Sequence, residues 1–213
     1  MPSAWAALPR AQRWMIGALA ALLLLVQIRQ PFPDVAPLHH IPTLVLLLAV
    51  PFLLRLRPMS NAAVGCVVLF FVLHTIGGRY TYSSVPYDRW SEALFGISIS
   101  EIFGFDRNHY DRLVHLSYGL LAVPPTLEFL QRHVGVARRV ALYIAIESVI
   151  AVSAVYELFE WFLSIVLAGP MAADYNGQQG DMWDAQKDMA LAAIGAIVSA
   201  AILSVRRWRR NPL

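Results

Sequence analysis

The chain has 213 residues, of which 58% are hydrophobic and only 15% charged, with a net charge of +3 and a mean hydropathy of +0.55. Soluble domains carry roughly 25% charged residues, so this composition excludes an ordinary soluble protein and predicts a polytopic membrane protein. The small positive charge does not argue for nucleic acid, and the single cysteine, Cys66, excludes a disulfide framework or a thiolate metal site.

A spanning helix needs roughly 20 mostly apolar residues, fewer where flanking residues reach the interface. Six runs qualify in chain order: 14–28, 38–54, 61–76, 113–130, 140–167 and 187–205. The first follows Arg10 and Arg13 and mimics a signal peptide. It ends in Gln27-Ile28-Arg29-Gln30, without a small-residue cleavage pattern, so it reads as a retained span. His39 and His40 open the second run from a Pro-rich loop and read as solvated. Arg55, Arg57 and Pro58 suit a tight turn into the third, where Cys66 reads as a buried inert thiol. Gly77-Gly78 marks a chain bend after it.

Two long loops follow, 77–112 and 168–186, both rich in Gly, Tyr, Asn, Asp and Trp. Loops longer than about 15 residues are usually functional when ordered, and 90–95 predicts a short helix on the membrane surface. Gly135 marks a short connection between the fourth and fifth runs. No internal repeat, low-complexity tract or boundary interrupts 1–213, which reads as a single integral-membrane domain.

Arginine placement orients the spans. With both termini cytoplasmic, Arg10, Arg13, Arg55, Arg57, Arg132, Arg138, Arg139 and the tail Arg206-Arg207-Trp208-Arg209-Arg210 all lie inside. Asp34, Asp88, Glu92, Glu101, Asp106, Asp111, Asp174, Asp181 and Asp184 lie outside, the positive-inside pattern. The fold expected is therefore an all-α polytopic bundle of six transmembrane helices in the cytoplasmic (inner) membrane, in contact with lipids. Self-association or a membrane partner is left open.

Asp181, Asp184 and Asp188 open the last span at spacings of three and four, which stacks them on one helical face. Like charges at a bilayer edge are expensive unless something positive sits among them. At the same depth fall His74 on the third span, Asp111 and His115 on the fourth, and Glu157 and Glu160 on the fifth. Glu128 and Glu147 are the exceptions; Glu128 lies within reach of Arg132, and Glu147 points elsewhere.

Carboxylates and imidazoles on facing helices are how bundles build metal centres. We assign His115, Glu157, Asp181, Asp184 and Asp188 as ligands of a divalent metal ion, with Asp111 orienting His115. Glu160 or His74 then serves as general base, and Arg79, Arg107 and Arg112 hold an anionic head group. Structural readings stand beside these: an Asp111–His115 ion pair, Glu157 and Glu160 paired with Arg79 or Arg112, acids at a helix N-terminus, and a hydrogen-bonded His74.

His74-Thr75-Ile76-Gly77-Gly78-Arg79-Tyr80-Thr81-Tyr82 and Arg107-Asn108-His109-Tyr110-Asp111-Arg112-Leu113-Val114-His115 resemble the YjdF-like inner-membrane proteins. So do Tyr156-Glu157-Leu158-Phe159-Glu160-Trp161 and Gln179-Gly180-Asp181-Met182-Trp183-Asp184-Ala185-Gln186-Lys187-Asp188-Met189. The resemblance implies the fold and the membrane location and supplies no reaction. The Asp-rich opening of the last span, with Gly195 beyond it, is faintly similar to the VanZ-like membrane proteins, over too short a stretch to imply activity.

Three functions fit the sequence. The first is a metal-dependent hydrolase or transferase acting on a lipid or lipid-linked phosphate at the extracytoplasmic face. The second is an ion- or proton-coupled transporter using Glu147, Glu157 and Glu160, and the third a non-catalytic accessory protein.

Overall fold

The computed structural model describes residues 3–166, 175 and 177–210, with side chains as far as 205. Eight α-helices and no strand occur among them: α1 (Arg10–Leu25), α2 (Ala36–Leu56), α3 (Asn61–Arg79), α4 (Tyr87–Phe95), α5 (Ile99–Phe103), α6 (Tyr110–Phe129), α7 (Arg138–Val166) and α8 (Asp184–Arg210). A π-helical turn, Leu130–Val134, extends α6 and ends at Gly135. Among the described residues, five helices are long and apolar enough to cross a membrane: α2, α3, α6 with its π turn, α7 and α8. The expected first span is the shorter α1, which ends before Val26 instead of running to residue 28. The arginine side chains of the tail, Leu167 and the 168–174 part of the second long loop lie outside the described residues.

The helices form two sub-bundles. In one, Ile16 of α1, Leu54 of α2 and Val64 of α3 share a core. In the other, Val123 of α6, Ala145 and Val149 of α7, and Ala192, Ala196 and Ala200 of α8 share another. The α3–α6 contact joins the two.

The tightest seam is α6 against α8, and small residues explain it. A Cβ on Gly119 would strike the Ala192 carbonyl oxygen, and one on Gly195 the Leu116 carbonyl oxygen. Facing glycines thus let two backbones touch, as small residues do between membrane helices. Ser199 donates to the Leu120 carbonyl across the same seam at 2.8 Å. This fixes the opening of α8 against the opening of α6, where the unusual acids lie.

The opposite end of the bundle is tied by Glu128. Its carboxylate accepts from the Ser60 amide and hydroxyl at 2.6 and 2.5 Å, and Arg132 lies 3.5 Å away. Ser60 meanwhile caps α3 by accepting from the Ala63 amide.

Two expectations are corrected. Gly77 and Gly78 do not bend the chain; α3 runs through them to Arg79. A Cβ on Gly77 would enter the Tyr82 ring and one on Gly78 the His39 side chain, so these glycines allow close approach. His39 and His40 are not solvated: α2 begins at Ala36, and both are buried against α3. A short helix does cover 90–95, as part of α4.

Candidate functional site

Asp111 and His115 lie one turn apart on α6, with Asp111 Oδ1 3.6 Å from His115 Nε2. From α7, Glu157 Oε1 comes within 3.7 Å of the same nitrogen. From α8, Asp188 completes a group in which one ligand atom each of Asp111, His115 and Asp188 lies within 4.8 Å of the others. Asp188 is 2% exposed. Its Oδ1 and Glu157 Oε1 are buried without a hydrogen-bond partner among the described residues. Buried polar atoms are almost always paired, and these two oxygens are exceptions among the described residues. Acidic and imidazole donors at this separation suit a divalent cation.

Asp181 and Asp184 are engaged differently. Arg107 Nη1 and Arg112 Nη2 reach Asp184 Oδ1 at 2.7 and 2.8 Å. Arg112 Nη2 and Lys187 Nζ reach Asp181 Oδ2 at 2.7 and 2.6 Å. The Lys187 ammonium, the Trp183 amide and Arg112 hold the Asp181 carboxyl far below its usual range despite some desolvation. Arg107 also donates to the Gln178 carbonyl at 3.0 Å, while Gln179 and Asn108 exchange side-chain and backbone hydrogen bonds. The two long loops are thus clamped together above the Asp111–His115–Asp188 group.

Arg79 is elsewhere: it donates to the carbonyls of Val26, Ile28 and Arg29, just beyond the end of α1. The arginines expected to act together are therefore two and one. Glu160 is half-buried and hydrogen-bonded with Tyr156. Glu147 is exposed on α7.

His74 belongs to a network that the sequence did not signal. Its Nε2 donates to the His39 carbonyl at 2.8 Å. A carbonyl only accepts, so Nε2 carries the proton and Nδ1 is the acceptor. Tyr82 donates its hydroxyl proton to that Nδ1 at 2.5 Å. Tyr82 follows Thr81, and both hold left-handed backbone at φ +57° and +51°, conformations costly without glycine and concentrated at functional sites. Burial raises the Tyr82 hydroxyl well above its usual value, with the Asp111 carboxylate adding to the shift. His39, 1% exposed, stacks on Tyr175 at 4.2 Å and meets Tyr82 edge-on at 5.2 Å.

His74, Tyr82, Asp111 and His115 open onto one cavity of about 710 Å³ between the sub-bundles, whereas Asp188, Glu157 and the arginine clamp are not among its lining residues. His74, Tyr82, Asp111, His115, Ser153 and Tyr156 line its acidic end; Leu46, Val67, Phe71 and Leu121 line the shaft; Arg57, Ala63 and Phe129 line the far end. A mostly apolar pocket with a few convergent polar groups is the usual form of a small-molecule site.

Five apolar helices around a polar cluster define an integral membrane protein. The chain belongs to the family described as "Predicted membrane protein (DUF2238)", whose profile matches residues 11–209. It is also 33% identical over 151 residues to "Inner membrane protein YjdF" of Escherichia coli (strain K12), covering 70% of this chain and 68% of that protein. The YjdF-like resemblance thus holds, and with it the inner-membrane location. No solved structure matches.

Proposed function

We propose that the acidic end of the cavity is the site of a metal-dependent hydrolase or transferase acting on a lipid or lipid-linked phosphate. The observation that carries the reading is the convergence of Asp188 on Asp111 and His115, the two of the three that line the head of an apolar shaft. Asp111, His115 and Asp188 would hold a divalent cation, with Glu157 beside them. Bound there, it would offset the repulsion of the acids and supply Lewis-acid polarisation to a phosphoryl oxygen. Arg107 and Arg112, fixed by Asp181 and Asp184 next to the Asp111–His115 turn, orient an anionic head group.

His74 has both ring nitrogens occupied, so it acts as base through Tyr82. The Tyr82 oxygen receives a proton from the nucleophile as its own proton passes to His74 Nδ1, and the imidazolium is held by the His39 carbonyl.

The finer topology belongs to the same reading: one domain, six spans, both termini cytoplasmic, and the acidic site on the extracytoplasmic side. Two contacts support α1 as the sixth span. Gln12 near its start donates to the Met59 carbonyl in the α2–α3 turn, and Arg79 at the end of α3 binds the carbonyls just past its other end. A helix tied to both ends of a spanning neighbour reaches across with it.

Metal analysis of gently purified protein beside Asp188→Asn tests the site. A near-stoichiometric divalent metal in the wild type, lost in the variant, is the expected result. Magnesium or calcium washes off easily, so the comparison is repeated with added ions and a thermal-shift readout. No metal and no shift in the wild type rejects the reading.

A further inference from the structure

The cavity is longer than the site requires. Asp111 and Phe129 line its two ends on one helix, about 27 Å apart at 1.5 Å per residue. The hydrocarbon core of a bilayer is about 30 Å thick, so one leaflet's acyl chains reach only about 15 Å. With Asp111 at the outer interface, as the proposed topology has it, a shaft of this length passes the midplane and continues into the second leaflet. Its walls past the acidic end are almost wholly apolar, built from residues such as Leu46, Val67, Phe71 and Leu121. Most polar groups gather at one end, where Ser153 is 2% exposed with its hydroxyl unpartnered among the described residues. Beyond Tyr118, the far end adds Thr126, bonded to the Ala122 carbonyl, and Arg57, exposed at its rim. A ligand matching this outline has one polar head and one tail about twice the length of an ordinary acyl chain.

We propose that the site takes a polyprenyl-type lipid phosphate, its phosphate at Asp111 and His115 and its single long chain running along α3 and α6 toward Phe129. This rests on the proposed function and names the substrate class within it. The acids at the head repel a bare phosphate, so binding requires the divalent cation. The tail supplies selectivity by contact. Lipid tails are as apolar as leucine, so a long chain gains no hydrophobic energy on entering. Instead it fills the whole shaft with close contacts that a shorter tail leaves unmade.

The test uses purified protein in nanodiscs with added magnesium or manganese, read by native mass spectrometry. Two probes compete, a long-chain polyprenyl phosphate and a phosphatidic acid with ordinary acyl chains, which carry the same phosphate. The polyprenyl phosphate is expected to bind about tenfold more tightly. Val67→Phe narrows the shaft beyond the site, and Leu121→Phe narrows it from the facing wall if the first variant folds poorly. Either is expected to abolish the preference while leaving phosphatidic acid bound as before.

Equal binding of the two probes by the wild type overturns the long-chain inference and leaves the phosphate site standing. An unchanged preference in both narrowed variants overturns it equally. Binding of neither probe, with or without the cation, brings down the site reading and the inference together.

Discussion

Asp184 and Asp188 are one turn apart on α8, yet they stand in opposite electrostatic situations. Asp184 holds two arginines, which are 11% and 14% exposed. Asp188 faces Asp111 and His115 with an oxygen unpaired among the described residues. Removing one partner of a buried ion pair costs several kcal/mol, whereas removing one of several crowded acids relieves repulsion. Asp184→Asn is expected to lower stability by roughly 3 kcal/mol whether or not metal is present. Asp188→Asn should leave the chelator-treated protein at least as stable as wild type and erase any gain on adding a divalent cation. Thermal unfolding in detergent, with and without chelator, separates the two. Equal losses in both variants would make the whole cluster a structural ion-pair network. The sequence carried the stack of three aspartates because helical spacing is local. Which of them pair with arginine was not legible, since Arg107 and Arg112 reach α8 only when the first long loop and the start of α6 fold against it.

At the scale of elements, most spans were readable because apolar length is a property of one stretch of chain. Their ends were less so. Run 113–130 begins three residues late because Tyr110, Asp111 and Arg112 look like loop, yet Tyr110 anchors the helix by donating to the Leu73 carbonyl at 3.0 Å. His39 and His40 looked solvated for a similar reason. Nothing nearby in sequence announces that Gln27 donates to His40 Nδ1 at 2.8 Å while His40 Nε2 donates to the Thr75 carbonyl. The element contact that matters most for the site is the α6–α8 seam, because it sets the distance between Asp111 and Asp188. A side chain at Gly119 must push the Ala192 backbone away, and overpacking of this kind typically costs 1–3 kcal/mol. Gly119→Leu is therefore expected to lower thermal stability and to weaken divalent-cation binding together. Gly17, which has open space around it, is the control, and Gly17→Leu should change neither. A Gly119→Leu protein with wild-type cation affinity would mean that the site does not depend on this seam.

For the whole molecule, the position of the acidic site relative to the membrane decides which substrates reach it. α1 is 16 residues long, about 24 Å at 1.5 Å per residue, short of the roughly 30 Å hydrocarbon core. A short span is tolerated by local thinning and by flanking polar residues at the interface, and Gln27, Arg29 and Arg10 are placed for that. Burial of Gln12, Ile16 and Leu19 along the helix adds packing that a helix lying flat on the surface would forgo. Single cysteines introduced after Cys66→Ala test the arrangement with a thiol reagent that does not cross the membrane, applied to intact spheroplasts. Asp106→Cys, beside the site, is expected to label from outside, and Arg139→Cys, at the start of α7, only after permeabilisation. Ser3→Cys discriminates the number of spans. Protected with Arg139→Cys, it places α1 across the bilayer and gives six. Labelled with Asp106→Cys, it leaves α1 on the outer face and gives five. Should Arg139→Cys label and Asp106→Cys be protected, the site faces the cytoplasm. The arginine asymmetry would then have to be explained by something other than positive-inside insertion.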